Sequence, residues 1–155
     1  MRVAGIDPGA NGAIAVLDSK NPDSVALLDL NKCTIYAATE WLRNHKIESI
    51  WLESVHSLYG MSARSNFGFG RNFGIAFGIA NVAVAGGVVY QVTPKIWQKY
   101  INITEKGKAI KQQVAQIAQS MYPSANLHGP KGGLLDGRSD ALMIAHYGIN
   151  NKETI

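Results

Sequence analysis

Three short apolar runs, separated by turn residues, fill the start of the chain and constrain its fold more than any other feature. Arg2 to Ile6 ends in Asp7-Pro8-Gly9, Asn11-Gly12 opens a second run from Ala13 to Leu17, and Asn21-Pro22-Asp23 precedes a third from Val25 to Leu30. Runs this short, bounded by Gly, Pro, Asn and Asp, read as a meander of three strands. Thr34 to His45 follows with helical spacing, placing Ile35, Ala38 and Leu42 on one face. Ser49 to Ser54 is a fourth strand, with Ile50 and Leu52 on one face and Trp51 and Glu53 on the other. A helical stretch from Ser62 to Ala85 leads to a fifth strand, Val88 to Val92. Thr93-Pro94 starts a short helix through Tyr100. Glu105 to Tyr122 forms a long one, with Ile110, Val114, Ile117 and Met121 expected inside. Pro123 to Leu135 reads as a loop, and Asp136 to Tyr147 as a last helix whose inner candidates are Leu142, Ala145 and His146.

The order of elements predicts an α/β chain. A length of 155 residues suits one domain over residues 1–150 with a short tail at 151–155, and is enough to bury a core without a metal or disulfide staple. The single cysteine, Cys33, excludes an intrachain disulfide, and with four scattered histidines it offers no zinc ligand set. No leader is read ahead of the first strand, so a reducing, cytoplasmic setting in a bacterial or phage-infected cell is expected.

Charge is unevenly distributed. Between Ser54 and Leu135 stand eight basic residues and one acidic residue, against seven basic and ten acidic in the rest. A basic middle points to a polyanionic partner, although a lysine-rich solvated surface explains it equally well taken alone. Phe69, Phe73 and Phe77 recur every four residues, as do Gly70, Gly74 and Gly78. The run from Phe73 to Tyr90 is uncharged, but Asn81 and Gly86-Gly87 interrupt it and its content is mostly Ala and Gly, so a membrane span is rejected. The glycine stripe is expected to let another helix approach, from the same chain or from a second subunit. Phe73 and Phe77 are expected in the core.

Four acidic residues stand apart. Asp7 and Glu53 close the first and fourth strands; if those strands are parallel neighbours, both acids project at one sheet edge, where open α/β sheets keep their sites. Asp136 and Asp140 share a helix face, and Asp140 borders the buried run Ala-Leu-Met-Ile-Ala. Singly, each has a plain reading as a turn residue, an exposed strand residue or a helix start. Together they form an oxygen-only donor set of the kind that suits Mg²⁺ or Mn²⁺ rather than zinc.

Gly5-Ile6-Asp7-Pro8-Gly9, a lone Glu at the end of a later strand, and Asp136-Gly-Arg-Ser-Asp-Ala-Leu142 resemble the RuvC-type Holliday junction resolvases, most of all phage-borne members. The resemblance spans Val3 to about Tyr147. It implies a ribonuclease-H-like fold, a five-stranded mixed sheet of three antiparallel then two parallel strands flanked by helices. It further implies that Asp7, Glu53, Asp136 and Asp140 bind two Mg²⁺ or Mn²⁺ ions. These would hydrolyse a phosphodiester by in-line attack to leave a 5′-phosphate and a 3′-hydroxyl. A homodimer would match the two-fold symmetry of a four-way DNA junction.

Two departures from the cellular pattern stand out. The last two acids are four apart rather than three. Gln98 occupies the position of a family lysine after Pro94, with Lys95 and Lys99 beside it. Lys111-Gln112-Gln113-Val114 matches a second family lysine motif, which makes Lys111 the candidate for the scissile phosphate or for developing charge. The family places the start of the glycine-rich helix at the junction centre, which nominates Arg64, Asn66, Phe67, Phe69, Arg71 and Asn72, with Phe67 or Phe69 stacking on an opened base. Lys95, Lys99, Lys106 and Lys108 are nominated as phosphate contacts. His56 is read as a loop residue near the DNA. The alternatives are a related RNA-processing nuclease and a junction-binding structural protein without cleavage.

Overall fold

The computed structural model describes residues 1–55, 60–84 and 86–151; His56, Ala85 and residues 152–155 of the tail lie outside them. Strands β1 (Arg2–Asp7), β2 (Ala13–Asp18), β3 (Asn21–Asp29), β4 (Ser49–Glu53) and β5 (Val88–Val92) form one sheet in the order β3-β2-β1-β4-β5. β1 pairs antiparallel with β2, and β2 with β3, whereas β1–β4 and β4–β5 are parallel. The meander therefore opens the sheet and two crossover strands complete it, which is a ribonuclease-H-like arrangement.

Among the described residues five α-helices flank the sheet: α1 (Ile35–Asn44), α2 (Ala63–Ala83), α3 (Pro94–Tyr100), α4 (Ala109–Met121) and α5 (Asp136–Asn150). Strand alternation sends alternate residues to opposite faces. Ala4, Ile6, Ile50 and Leu52 pack with Ala38 and Leu42 of α1 and with Ala76, Ile79 and Ala80 of α2. Val3 and Trp51, on the other face, pack with Trp97 of α3, Val114 and Ala118 of α4, and the run Ala141 to Ala145 of α5. α5 lies directly on β1 because Gly5 has no side chain: a Cβ there would fall 2.2 Å from the Ala141 carbonyl oxygen and 2.3 Å from the Ala145 nitrogen.

Several boundaries differ from the sequence reading. β3 starts at Asn21, since Ser19 and Lys20 make the turn. Pro22 is tolerated there because β3 is an edge strand, where a missing N–H costs no ladder bond. A 3-10 turn, Leu30–Lys32, follows it. α4 starts at Ala109 rather than Glu105. The Gln113 side chain accepts the N–H groups of Thr104 and Glu105, each at 3.0 Å, and Gly107 takes a left-handed φ of 57°, so the backbone is not helical there. Ile35 shares the angular face of Ala38 and Leu42 but lines an open cleft between α1 and α2, and it is 55% exposed. Met121 ends α4 and is also exposed; Ala115 and Ala118 complete the inner face instead. Phe77 is 40% exposed, stacked on Phe73 rather than enclosed in the core. Among the described residues nothing lies within 4 Å of where side chains would stand at Gly70, Gly74 and Gly78, so no other described helix fills the glycine stripe.

Candidate active site

Parallel pairing of Ile6 with Leu52 brings the next residues, Asp7 and Glu53, to the same end of adjacent strands and onto the face covered by α5. The turn after Asp7 is closed by its own carboxylate, whose Oδ1 accepts the Gly9 N–H at 2.9 Å. Glu53 Oε1 accepts the Trp97 indole N–H at 2.9 Å, and Trp97 is fully buried. The first turn of α5 carries Asp136 and Asp140 to the same place. Gly137 lets that turn press onto the β1–β2 turn, for a Cβ there would stand 2.1 Å from the Asn11 carbonyl oxygen. From α4, the Lys111 ammonium donates to Asp136 Oδ2.

The carboxylates act on one another. Burial pushes Asp7 up to about 6, against the Gly9 hydrogen bond, and the charge of Asp136 adds to the rise. Burial pushes Glu53 up to about 7, with the Asp7 charge adding to it. Asp140 is raised well above the usual range, first by burial, then by Asp7, Glu53 and Asp136. Lys111 is held charged, first by its hydrogen bond to Asp136 and further by the fields of Asp136, Asp140 and Asp7. Like charges are thus gathered in a partly dry place, where an added positive charge would be favourable.

Among the described residues, no three acidic, histidine or cysteine side chains stand close enough to cage an ion as they are. The donor set nevertheless has the chemistry of a hard-cation site: carboxylate oxygens only, three of them raised by burial and mutual repulsion. No helix among the described residues is long and apolar enough to cross a membrane.

Of the basic residues nominated from the sequence, only Lys111 acts on this carboxylate group. Lys95, Lys99, Lys106 and Lys108 are exposed on α3 and on the Gln113-pinned loop before α4. Arg64, Phe67, Phe69 and Arg71 are exposed on the first half of α2, Phe67 to 75%, while Asn66 and Asn72 are half-buried. Gln98 is half-buried. Two supports of the site escaped the sequence reading. One is Trp97, whose only signal was a tryptophan in the turn after Pro94. The other is Arg138, which lies between the two α5 acids and grips Asp29 with Nε at 2.6 Å and Nη2 at 2.9 Å; its Nη1 donates to the Asn126 carbonyl at 2.8 Å.

No family model matches the sequence, and no curated protein matches it. Solved structures do. Thermus thermophilus RuvC bound to a Holliday junction substrate is 17% identical, with a TM-score of 0.62 over 97% of each chain. Another structure of Thermus thermophilus RuvC is 20% identical, with a TM-score of 0.60 over 96% of each chain. Fowlpox virus resolvase, in complex with its substrate Holliday junction DNA, is 15% identical, with a TM-score of 0.55 over 99% of this chain and 100% of that one. At these identities the likeness establishes architecture: the chain has the ribonuclease-H-like fold of the Holliday junction resolvases RuvC and the poxvirus enzyme.

Proposed function

We propose that this protein is a divalent-metal-dependent endonuclease that cuts branched DNA, chiefly four-way junctions, as a homodimer in the cytoplasm. The observation that carries the reading is the mutual electrostatic influence of Asp7, Glu53, Asp136 and Asp140, which come from three separate elements at one sheet edge. The nature of the substrate is supported by the fold, shared with two resolvases solved on Holliday junction DNA.

Asp7, Glu53 and Asp140, driven toward their neutral forms when alone, gain most from a bound cation, and Asp136 completes the set. Two Mg²⁺ or Mn²⁺ ions held there would supply activation of a water and stabilisation of the leaving 3′-oxygen. The Trp97 N–H fixes Glu53 Oε1 and so orients the carboxylate. Lys111 balances Asp136 and is 63% exposed, able to reach a phosphate as DNA arrives. Lys95, Lys99, Lys106 and Lys108 contact phosphates and position the arms without reading sequence. Phe67, projecting from α2, stacks on a base at the opened crossover, with Arg64, Asn66 and Phe69 beside it. Residues 1–150 act as one nuclease domain.

A synthetic four-way junction compared with matched linear duplex, in Mg²⁺, Mn²⁺ and chelator at fixed salt, tests the reading. Cleavage of the junction alone, lost in chelator, is expected. Asp7→Asn should lower the rate at least about a thousandfold, roughly 4 kcal/mol of barrier, with junction binding retained. Binding without any cation-dependent nicking would favour a structural junction binder, and cleavage of RNA alone would favour the RNA-processing alternative.

A further inference from the structure

A cleft of about 390 Å³ opens on the face of the sheet that α1 and α2 cover, between the β1–β2 turn, the start of α1 and the middle of α2. Its near wall is Pro8 and Gly9, and the Gly9 N–H is bonded to Asp7, so cleft and carboxylate share one turn. Its floor is apolar, from Ile75 and the fully buried Ile79. Its rim is polar, from Asn31, Arg71 and Asn72. Asn31 donates to Asn11 at 3.2 Å, whereas the side chains of Arg71 and Asn72 have no hydrogen-bond or ion-pair partner among the described residues.

An apolar floor under unsatisfied donors and acceptors is the chemistry that takes a nucleobase: hydrophobic contact for its faces, hydrogen bonds for its edge. An amide such as Asn72 donates and accepts at once, and a guanidinium offers paired donors, the two groups that discriminate base edges best. Polar groups left unpaired by a wrong base make such a site selective. A stacked base inside a duplex arm cannot reach this depth, but a base beside a branch point is already poorly stacked and is displaced at low cost. We propose that this cleft receives an unstacked base of the strand being cut, next to the scissile phosphate, and that Arg71 and Asn72 read its edge and so set the sequence preference of cleavage. The proposal rests on the nuclease reading above and adds to it a specificity pocket distinct from the stacking of Phe67.

Cys33, the chain's single cysteine, lines the same cleft and supplies a test that needs no cleavage. Junctions carry a tethered disulfide on one base at a time, along the crossover and out along the arms, and bind the protein in chelator. Attack of the Cys33 thiolate on the probe joins protein to DNA through a new disulfide and releases the small thiol of the probe, with no net oxidant needed. Trapping at one or two bases beside the crossover, absent from the arms and absent in Cys33→Ser, is expected. Bound junction with no trapping at any crossover base overturns the proposal. In Mg²⁺ or Mn²⁺, the rate ratio between the best- and worst-cut crossover sequences should fall about tenfold in Asn72→Ala and in Arg71→Ala. An unchanged ratio in both variants also overturns it. Failure of the unsubstituted protein to cut any junction would sink the nuclease reading instead, and the trapping result would still decide what the cleft holds.

Discussion

Asp7 and Glu53 hold protons more tightly when folded than when unfolded, and this sets the sign of the cation-free protein's pH dependence. Their carboxyls, at about 6 and about 7, start from ordinary values of 3.8 and 4.5. The resulting penalty is absent below about pH 4, grows as the pH rises and is complete above about pH 7. Thermal melts in chelator should therefore show higher stability at pH 5 than at pH 8. Asp7→Asn should melt a few degrees higher than the unsubstituted protein at pH 8 while being inactive, the mark of a group kept for function rather than stability. Asp29 has the opposite sign. The Arg138 guanidinium holds its carboxyl at about 2, so its contribution is present above about pH 4 and is lost as the pH falls through 2. Removing one partner from this mostly enclosed pair should cost about 3 kcal/mol, so Arg138→Ala should lower the urea midpoint at pH 7. The loss should shrink toward pH 2, where Asp29 takes up its proton.

At the scale of elements, the site depends on how closely α5 lies on β1. The absent side chains of Gly5 and Gly137 permit that approach, and the Gly148 position is equally tight, a Cβ there meeting Trp51 Cδ1 at 2.1 Å. A methyl group at position 5 meets backbone, which cannot swing aside. Gly5→Ala should cost about 3 kcal/mol by denaturant unfolding and should also lower junction cleavage, because lifting α5 carries Asp136 and Asp140 away from Asp7. Gly74→Ala, in open space on α2, should leave unfolding nearly unchanged or slightly improve it by its better helix propensity. A matching loss in the two variants would argue against this account of the helix–strand contact.

For the whole molecule, the outer faces of α1 and α2 leave Tyr36, Phe77 and Val82 exposed beside the open glycine stripe. This is the apolar surface on which the proposed homodimer would close. Gly74→Arg should shift sedimentation from dimer to monomer and lose paired incision of a junction while the monomer stays folded by circular dichroism. A monomeric unsubstituted protein at micromolar concentration would remove the dimer from the reading. The basic middle of the chain predicts that junction affinity falls steeply with salt, with a log–log slope set by the number of phosphates neutralised.

The amino-acid order alone determined the run of strands and helices, the α/β class and the four acids worth watching, because period-two and helical patterning and turn chemistry are local properties. It misjudged Phe77 and Met121, whose angular positions suit burial but which no element among the described residues encloses. It also missed where α4 begins, since a distant glutamine side chain, Gln113, takes up the backbone donors of Thr104 and Glu105. Only the tertiary structure decided that Asp7 and Glu53 end adjacent parallel strands, that Trp97 and Arg138 support the site, and that a cleft adjoins it. Each of these depends on contacts between residues far apart along the chain, and burial raises a carboxyl only where folding has excluded water around it.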